Sequence, residues 1–283
     1  MLMNLRTILN NAYTYKYAVG SFNAYNYETI KGIIEAGIET DKPTIVAFGE
    51  KYLENMTLDT ASCIVKSIAE NISVPLCLHL DHCSDLQTVF RAIKAGFGSV
   101  MYDGSALPFE ENVQNTKLVC EVAHACNVSV EAELGNLASG NKSHEGNDTD
   151  TEAYTNPLEA KKFVEKTNVD ALAISIGTVH GFYKGKPNIR IDILQDINKL
   201  LQKPLVLHGG SGTPKEDIIN CIKNGIAKIN VNTEISSYTI EKTTELLSNK
   251  RPHFSVLSLN QIGYVKEIVN KYISIFGNPT DLS

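Results

Sequence analysis

The sequence contains no Cys-x-x-Cys pair. Its six cysteines, Cys63, Cys77, Cys83, Cys120, Cys126 and Cys221, are scattered along 283 residues. In a chain of this length that pattern predicts reduced, buried thiols rather than a disulfide framework. There is no basic block, and the net charge of −6 leaves no electrostatic footprint for nucleic acid. No run approaches the roughly 18 apolar residues of a membrane span. The opening MLMNLRTILNNAYTYKYAVG has neither the charged start nor the long apolar core of a secretory signal. Together these absences predict a cytoplasmic protein that binds neither nucleic acid nor membrane. No Pro/Gly/Ser-rich linker divides the chain, so residues 1–283 read as one domain. Hydrophobic residues at 43% and charged residues at 20% supply an ordinary globular core.

What is present is an alternation. Short apolar runs at 17–23, 44–48, 76–80, 99–102, 128–134, 171–177, 204–208 and 227–231 alternate with amphipathic helical stretches. In 84–95, Leu86, Val89, Phe90 and Ile93 repeat at helical spacing, with Ser84 as expected N-cap and Gly96 as expected stop. The stretches 109–125, 157–167, 192–202 and 214–224 follow the same scheme. Eight βα units in a chain of this size predict a single α/β domain, a (β/α)8 TIM barrel. The G-x-G-x-x-G that would announce a doubly wound sheet is missing after the first strand. One connection is long: 136–156, NLASGNKSHEGNDTDTEAYTN, is polar and aperiodic, which predicts a mobile lid loop.

The stretch LCLHLDH at 76–82 places two histidines and a carboxylate at the end of an apolar run. Burying such groups is costly unless they are paired or on a metal, but the C-terminal tip of a barrel strand is where such enzymes work. His82, His180 and His208 fall at three different strand tips, the layout of a catalytic zinc site with an open position. Asp81 and His82 reach one pocket only if the regular strand stops near Leu80, because successive residues otherwise face opposite sides. His82 is therefore assigned to metal, Asp81 to proton transfer and His79 to buried support. The run His208-Gly-Gly-Ser-Gly-Thr-Pro leads into a helix, and the last strand ends in Asn230-Val-Asn-Thr233. Loops after strands seven and eight suit a phosphate, and Lys184 offers a positive charge.

These stretches together resemble the class II, zinc-dependent fructose-bisphosphate aldolases and their tagatose-bisphosphate relatives. The likeness runs nearly end to end through AVGSFNAYNYE, HLDH, SVMYDGSALPFEEN, VSVEAELG, IGTVHGFYKGKPN, PLVLHGGSGTP and KINVNTE. It implies reversible cleavage of fructose 1,6-bisphosphate to dihydroxyacetone phosphate and glyceraldehyde 3-phosphate in a homo-oligomer, a dimer or tetramer. By the resemblance His82, His180 and His208 hold zinc, joined by Glu133 when it shifts. Asp81 protonates the aldehyde oxygen in synthesis and acts as base in cleavage. Asn23, Gly181, Lys184, Gly209, Ser211, Asn230, Asn232 and Thr233 belong to the substrate and phosphate pocket, with a monovalent cation (Na+ or K+) beside it. No strand-tip lysine suggests the Schiff base of a class I enzyme, whereas zinc would act as Lewis acid.

Some positions depart from the family wording. The lid glutamate expected as carbon base is Asn141, and an amide is no base; Glu145 or Asp148 is the nearest stand-in, with Glu145 preferred. Gly49 replaces a serine or threonine, Asn232 replaces an aspartate of some members, and Asp-Pro-Arg-Lys is reduced to Arg251-Pro252-His253. These departures keep open an aldolase for tagatose 1,6-bisphosphate or another phosphorylated ketose, and a non-catalytic barrel subunit. A zinc amidohydrolase would need His-x-His on the first strand, which is absent.

Overall fold

A computed structural model describes residues 1–143 and 152–277. The strands in chain order are β1 (Val19–Asn23), β2 (Thr44–Gly49), β3 (Leu76–Cys83), β4 (Ser99–Tyr102), β5 (Ser129–Leu134), β6 (Ala138–Ser139), β7 (Ala171–Ile174), β8 (Val179–His180), β9 (Leu205–Leu207) and β10 (Ile226–Val231). Eight of them close a parallel barrel in the order β1-β10-β9-β7-β5-β4-β3-β2, while β6 and β8 pair outside it. The eight apolar runs of the sequence are the eight barrel strands. Helices between them cover the outside, as parallel strands buried on both faces require.

Helix α1 (Leu5–Tyr15) was not anticipated from the sequence. It lies under the barrel, where Leu5, Ile8, Leu9 and Ala12 pack against Val19, Ile45, Cys77, Val206 and Ala227. Burying a large aliphatic side chain there contributes about 1.5–3 kcal/mol, so α1 is an apolar floor. At the other margin α9 (Thr233–Asn249) follows the last strand, and α10 (Phe254–Phe276) packs on α2 (Tyr27–Thr40). Helices α5 (Phe109–Ala125) and α6 (Pro157–Thr167) have the expected bounds.

Helix α4 (Leu86–Ala95) corrects the expected cap. Asp85, not Ser84, is the N-cap, accepting from the backbone N–H of Gln87 and Thr88, while Gly96 closes the helix at φ 91°. Ser84 is engaged elsewhere: its N–H donates to Glu50 Oε2 at 3.0 Å. A second correction concerns β3, which continues to Cys83 instead of stopping near Leu80. The need to turn His82 inward is met by a bulge. The pairing with β4 shifts between Leu80 and Cys83, and His82 sits at φ 43°. One extra residue in left-handed conformation re-aims a side chain without ending the strand.

The predicted lid is partly anchored. Ala138–Ser139 pairs with Val179–His180, and Asn136 and Asn141 bridge to Ala153 and Phe182. His180 is accordingly on a short strand of its own rather than on a barrel strand tip. Residues 144–151, with His144, Glu145 and Asp148, lie outside the described residues. No cysteine is bonded; four are buried, but Cys63 and Cys126 are exposed, contrary to the expectation that all are internal. No helix among the described residues is long and apolar enough to cross a membrane.

Candidate active site

The C-terminal ends of the strands open on a cavity of about 490 Å³ whose lining includes Asn23, Asp81, His82, Glu133 and His180. Asp81 is fully buried and held from two sides: Asn23 Nδ2 donates to Oδ2 at 2.8 Å and Asn230 Nδ2 to Oδ1 at 3.0 Å. Burial alone would raise its carboxyl, but the charges of His82, Lys228 and His208 outweigh burial and hold it below the usual carboxylate range. Asp81 is thus an ionised group in a pocket with donors already in place. The Oδ1 atoms of Asn23 and Asn230 are buried with no hydrogen-bond partner among the described residues.

Beside Asp81 the three histidines converge. One ring nitrogen from each of His82, His180 and His208 lies within 4.8 Å of the others. His82 Nδ1 is 2.9 Å from Asp103 Oδ2, and His208 Nε2 is 2.9 Å from Glu131 Oε1. Both carboxyls are held below their usual range against burial, Asp103 chiefly by His82 and Glu131 chiefly by Lys228. An ionised carboxylate only accepts, so the ring N–H points outward in each case. The nitrogens left facing each other, His82 Nε2 and His208 Nδ1, are 2.7 Å apart. Two lone pairs at that separation repel unless a cation or a proton joins them. Burial lowers the basicity of His82, but Asp103, Asp81 and Glu133 reverse the sign and raise it. The same carboxylates favour any cation at this point.

Glu133 completes the donor set. Its Oε2 is buried with no hydrogen-bond partner among the described residues and lies 3.8 Å from His82 Nδ1. Burial, then the charge of Asp103, pushes its carboxyl well up; a divalent cation would reverse that. His82, Asp103 and Glu133 form a second cluster of metal-ligating atoms. Three imidazoles and a carboxylate, with carboxylates behind two of the rings, fit zinc by donor chemistry. Nothing among the described residues supports the monovalent cation.

The glycine-rich side is built by close backbone approach. Gly181 has φ 97° and a Cβ there would lie 2.6 Å from Asn141 O; Gly209 has φ 72° and would meet Val179 O at 2.3 Å. Ser211 Oγ accepts from Glu234 N–H at the start of α9, next to Thr233. One expected member stands elsewhere: Lys184 lines a separate cavity with Glu152 and Tyr183. Asn232 Nδ2 donates at 2.8 Å to the hydroxyl of Tyr52, which itself lines the main cavity.

Several participants escaped the sequence reading. His79 was assigned to support, and it is fully buried, its Nδ1 2.9 Å from Ser99 Oγ and its Nε2 3.6 Å from Glu131; burial chiefly lowers its pKa to about 3. Asp103 and Glu131 fall at strand tips in the sequence but were given no role, and Lys228 was missed altogether. A lysine inside the apolar run Ile226–Val231 was the available signal. Lys51 was also missed; among the described residues it is the only lysine or arginine lining the main cavity.

The family model for class-II fructose-bisphosphate aldolase matches residues 3–280. The chain is 39% identical to a sulfofructosephosphate aldolase of Alkalicoccus urumqiensis over 96% of both proteins. It is 42% identical to a fructose-bisphosphate aldolase of Geobacillus stearothermophilus over 87% of this chain and 86% of that one. The crystal structure of the YdjI aldolase from Escherichia coli K12 covers 100% of both chains with a TM-score of 0.88 and 33% identity. With Asp81 and His82 brought into one pocket of the barrel and the family model matched over nearly the whole length, this chain belongs to the class-II fructose-bisphosphate aldolase family.

Proposed function

We propose that this aldolase is zinc-dependent and cleaves fructose 1,6-bisphosphate to dihydroxyacetone phosphate and glyceraldehyde 3-phosphate. The observation that carries the reading is the convergence of one ring nitrogen from each of His82, His180 and His208 within 4.8 Å of one another, with the buried Glu133 Oε2 beside them. His82, His180 and His208 would hold zinc, with Glu133 as movable fourth donor. Zinc bound there supplies a Lewis acid that polarises the ketose carbonyl and stabilises the enediolate charge.

The remaining work belongs to the chain. Asp81, ionised and gripped by Asn23 and Asn230, removes the proton of the C4 hydroxyl; the C3–C4 bond breaks, and its electron pair stays with the dihydroxyacetone phosphate half. The aldehyde leaves, and a proton returns to C3. Glu145 is proposed for that return, because Asn141 cannot carry it. The bare Oδ1 atoms of Asn23 and Asn230 accept from substrate hydroxyls. Gly181 and Gly209 let the backbone close on the first phosphate, with Ser211 and Thr233 beside them.

A second reading is favoured by two observations. The sulfofructosephosphate aldolase aligns over more of this chain than the fructose-bisphosphate aldolase does, 96% against 87%. Lys51, a single cation, faces the cavity, and one lysine matches a sulfonate monoanion better than a phosphate of charge about −1.5 to −2. A panel of fructose 1,6-bisphosphate, tagatose 1,6-bisphosphate and the 6-sulfonated fructose 1-phosphate, assayed for triose phosphate release, separates the readings by kcat/KM. In the same panel His208→Ala should remain folded, lose zinc and lose cleavage, and Glu145→Ala should lose turnover. Full activity of metal-free wild type would sink the mechanism, and normal cleavage by Glu145→Ala would sink that residue's role.

A further inference from the structure

Below the cavity the barrel interior is ionic where a barrel of this kind is ordinarily filled by branched apolar side chains. Lys228 on β10 and Glu131 on β5 are both fully buried. Lys228 Nζ lies 3.0 Å from Glu131 Oε1 and 2.8 Å from Oε2, and the pair spans the barrel beneath the histidines. Glu131 is the one carboxylate within ion-pairing distance of Lys228 among the described residues. Lys228 is fully buried and has no surface open to the cavity, so it does not meet substrate. Its bonded link to the histidines runs through Glu131, whose Oε1 also receives His208 Nε2 at 2.9 Å. The other neighbour of Glu131 is His79, whose Nε2 is 3.6 Å from Oε2.

Stability does not account for the pair, since replacing a buried ion pair by apolar residues of similar volume is often neutral or stabilising. Its geometry does something specific. A carboxylate neutralised by an adjacent ammonium stays ionised and fixed in place, and a fixed acceptor at Nε2 keeps the ring proton there and leaves His208 Nδ1 as an acceptor, 2.7 Å from His82 Nε2 and 3.4 Å from Asn230 Nδ2. We propose that Lys228 is a positioning residue: through Glu131 it sets the tautomer and orientation of His208, and thereby the affinity of the three-histidine site for its metal. This rests on the metal reading above and adds to it a residue that neither touches the metal nor the substrate.

The test uses the full chain in four forms: wild type, Lys228→Arg, Lys228→Met and the double variant Lys228→Met/Glu131→Leu. Zinc affinity is measured by competition with a chromophoric chelator, the ligand field by the visible spectrum of the cobalt-substituted protein, and stability by thermal unfolding of the metal-free protein. Lys228→Met should bind zinc about 10–100-fold more weakly, the usual cost of losing support behind a metal ligand, with an altered cobalt spectrum. Lys228→Arg should recover part of the affinity. The double variant, free of any unpaired buried charge, should unfold no earlier than wild type yet still bind zinc weakly. If it binds zinc as tightly as wild type with an unchanged cobalt spectrum, the inference is overturned while the metal reading stands. Wild type that takes up no zinc overturns both. Should Lys228→Met fail to fold, the arginine and double variants decide the matter alone.

Discussion

At the scale of single residues, the site is governed by which groups have partners and which do not. Asp81 has two amide donors and His82 has Asp103, so their orientations are fixed before substrate arrives. Lys51 stands apart: among the described residues it is the one lysine or arginine lining the same cavity, which also holds a set of carboxylates. On the proposed reading it meets the anionic far end of the substrate. Losing a hydrogen bond to a charged group costs about 1.5–3 kcal/mol, so Lys51→Met should raise KM for the preferred substrate about 10–100-fold and leave kcat within a few-fold. Steady-state kinetics of the zinc-loaded enzyme measure this, and an unchanged KM removes Lys51 from substrate recognition. Residues such as His82 and Asp81 were legible because polar groups in an apolar run demand a reason. Lys51 was not, because an exposed lysine in a polar segment is the commonest thing a surface offers. Lys228 was as conspicuous as His82, yet its partner Glu131 lies 97 residues away, a distance only folding closes.

At the scale of elements, local patterns placed strands and helices well and their ends less well. The eight apolar runs became the eight barrel strands, and the Gly96 stop held. The N-cap of α4 did not, since Ser84 and Asp85 are equally good caps by type. The choice is made by Glu50, which follows β2 and binds Ser84 through its N–H and Oγ, leaving Asp85 to cap. Asp85→Ala should lower stability by about 0.5–2 kcal/mol, read as a lower urea midpoint, and Ser84→Ala should leave the helix content unchanged. Equal loss from both would restore the serine as cap. The bulge at His82 has the same origin. A strand ending near Leu80 satisfied the facing argument, but the edge of β4 was there to pair with Cys83, and one left-handed residue kept both the pairing and the inward imidazole.

At the scale of the whole molecule, the floor and the mouth of the barrel are held by different means. The floor is apolar, sealed by α1, and clamped at its margin by Asp170. That carboxylate sits 2.6 Å from Arg6 Nε of α1 and 2.9 Å from His124 Nε2 of α5, and accepts from Val130 N–H of β5 at 2.8 Å. Burial opposes ionisation, but these donors hold its carboxyl below the usual range. A depressed folded value means that the carboxylate stabilises the fold above the unfolded pKa of about 3.9. That stabilisation is lost as pH falls through the lower folded value. Asp170→Asn should therefore be destabilised by about 1–3 kcal/mol at neutral pH, and the gap in urea midpoint should close in acid; a gap independent of pH would exclude the carboxylate as its cause. The mouth, in contrast, is polar and rests on the Lys228–Glu131 pair, of which the local sequence shows the lysine but not its partner. The sequence by itself determined the barrel, the three histidines and Asp81, because periodicity and misplaced polarity are written residue by residue. Only the tertiary structure decided the apolar floor, the bulge that turns His82, and the Lys228–Glu131 pair under His208, because each depends on residues far apart in the chain being pressed together where water cannot answer for them.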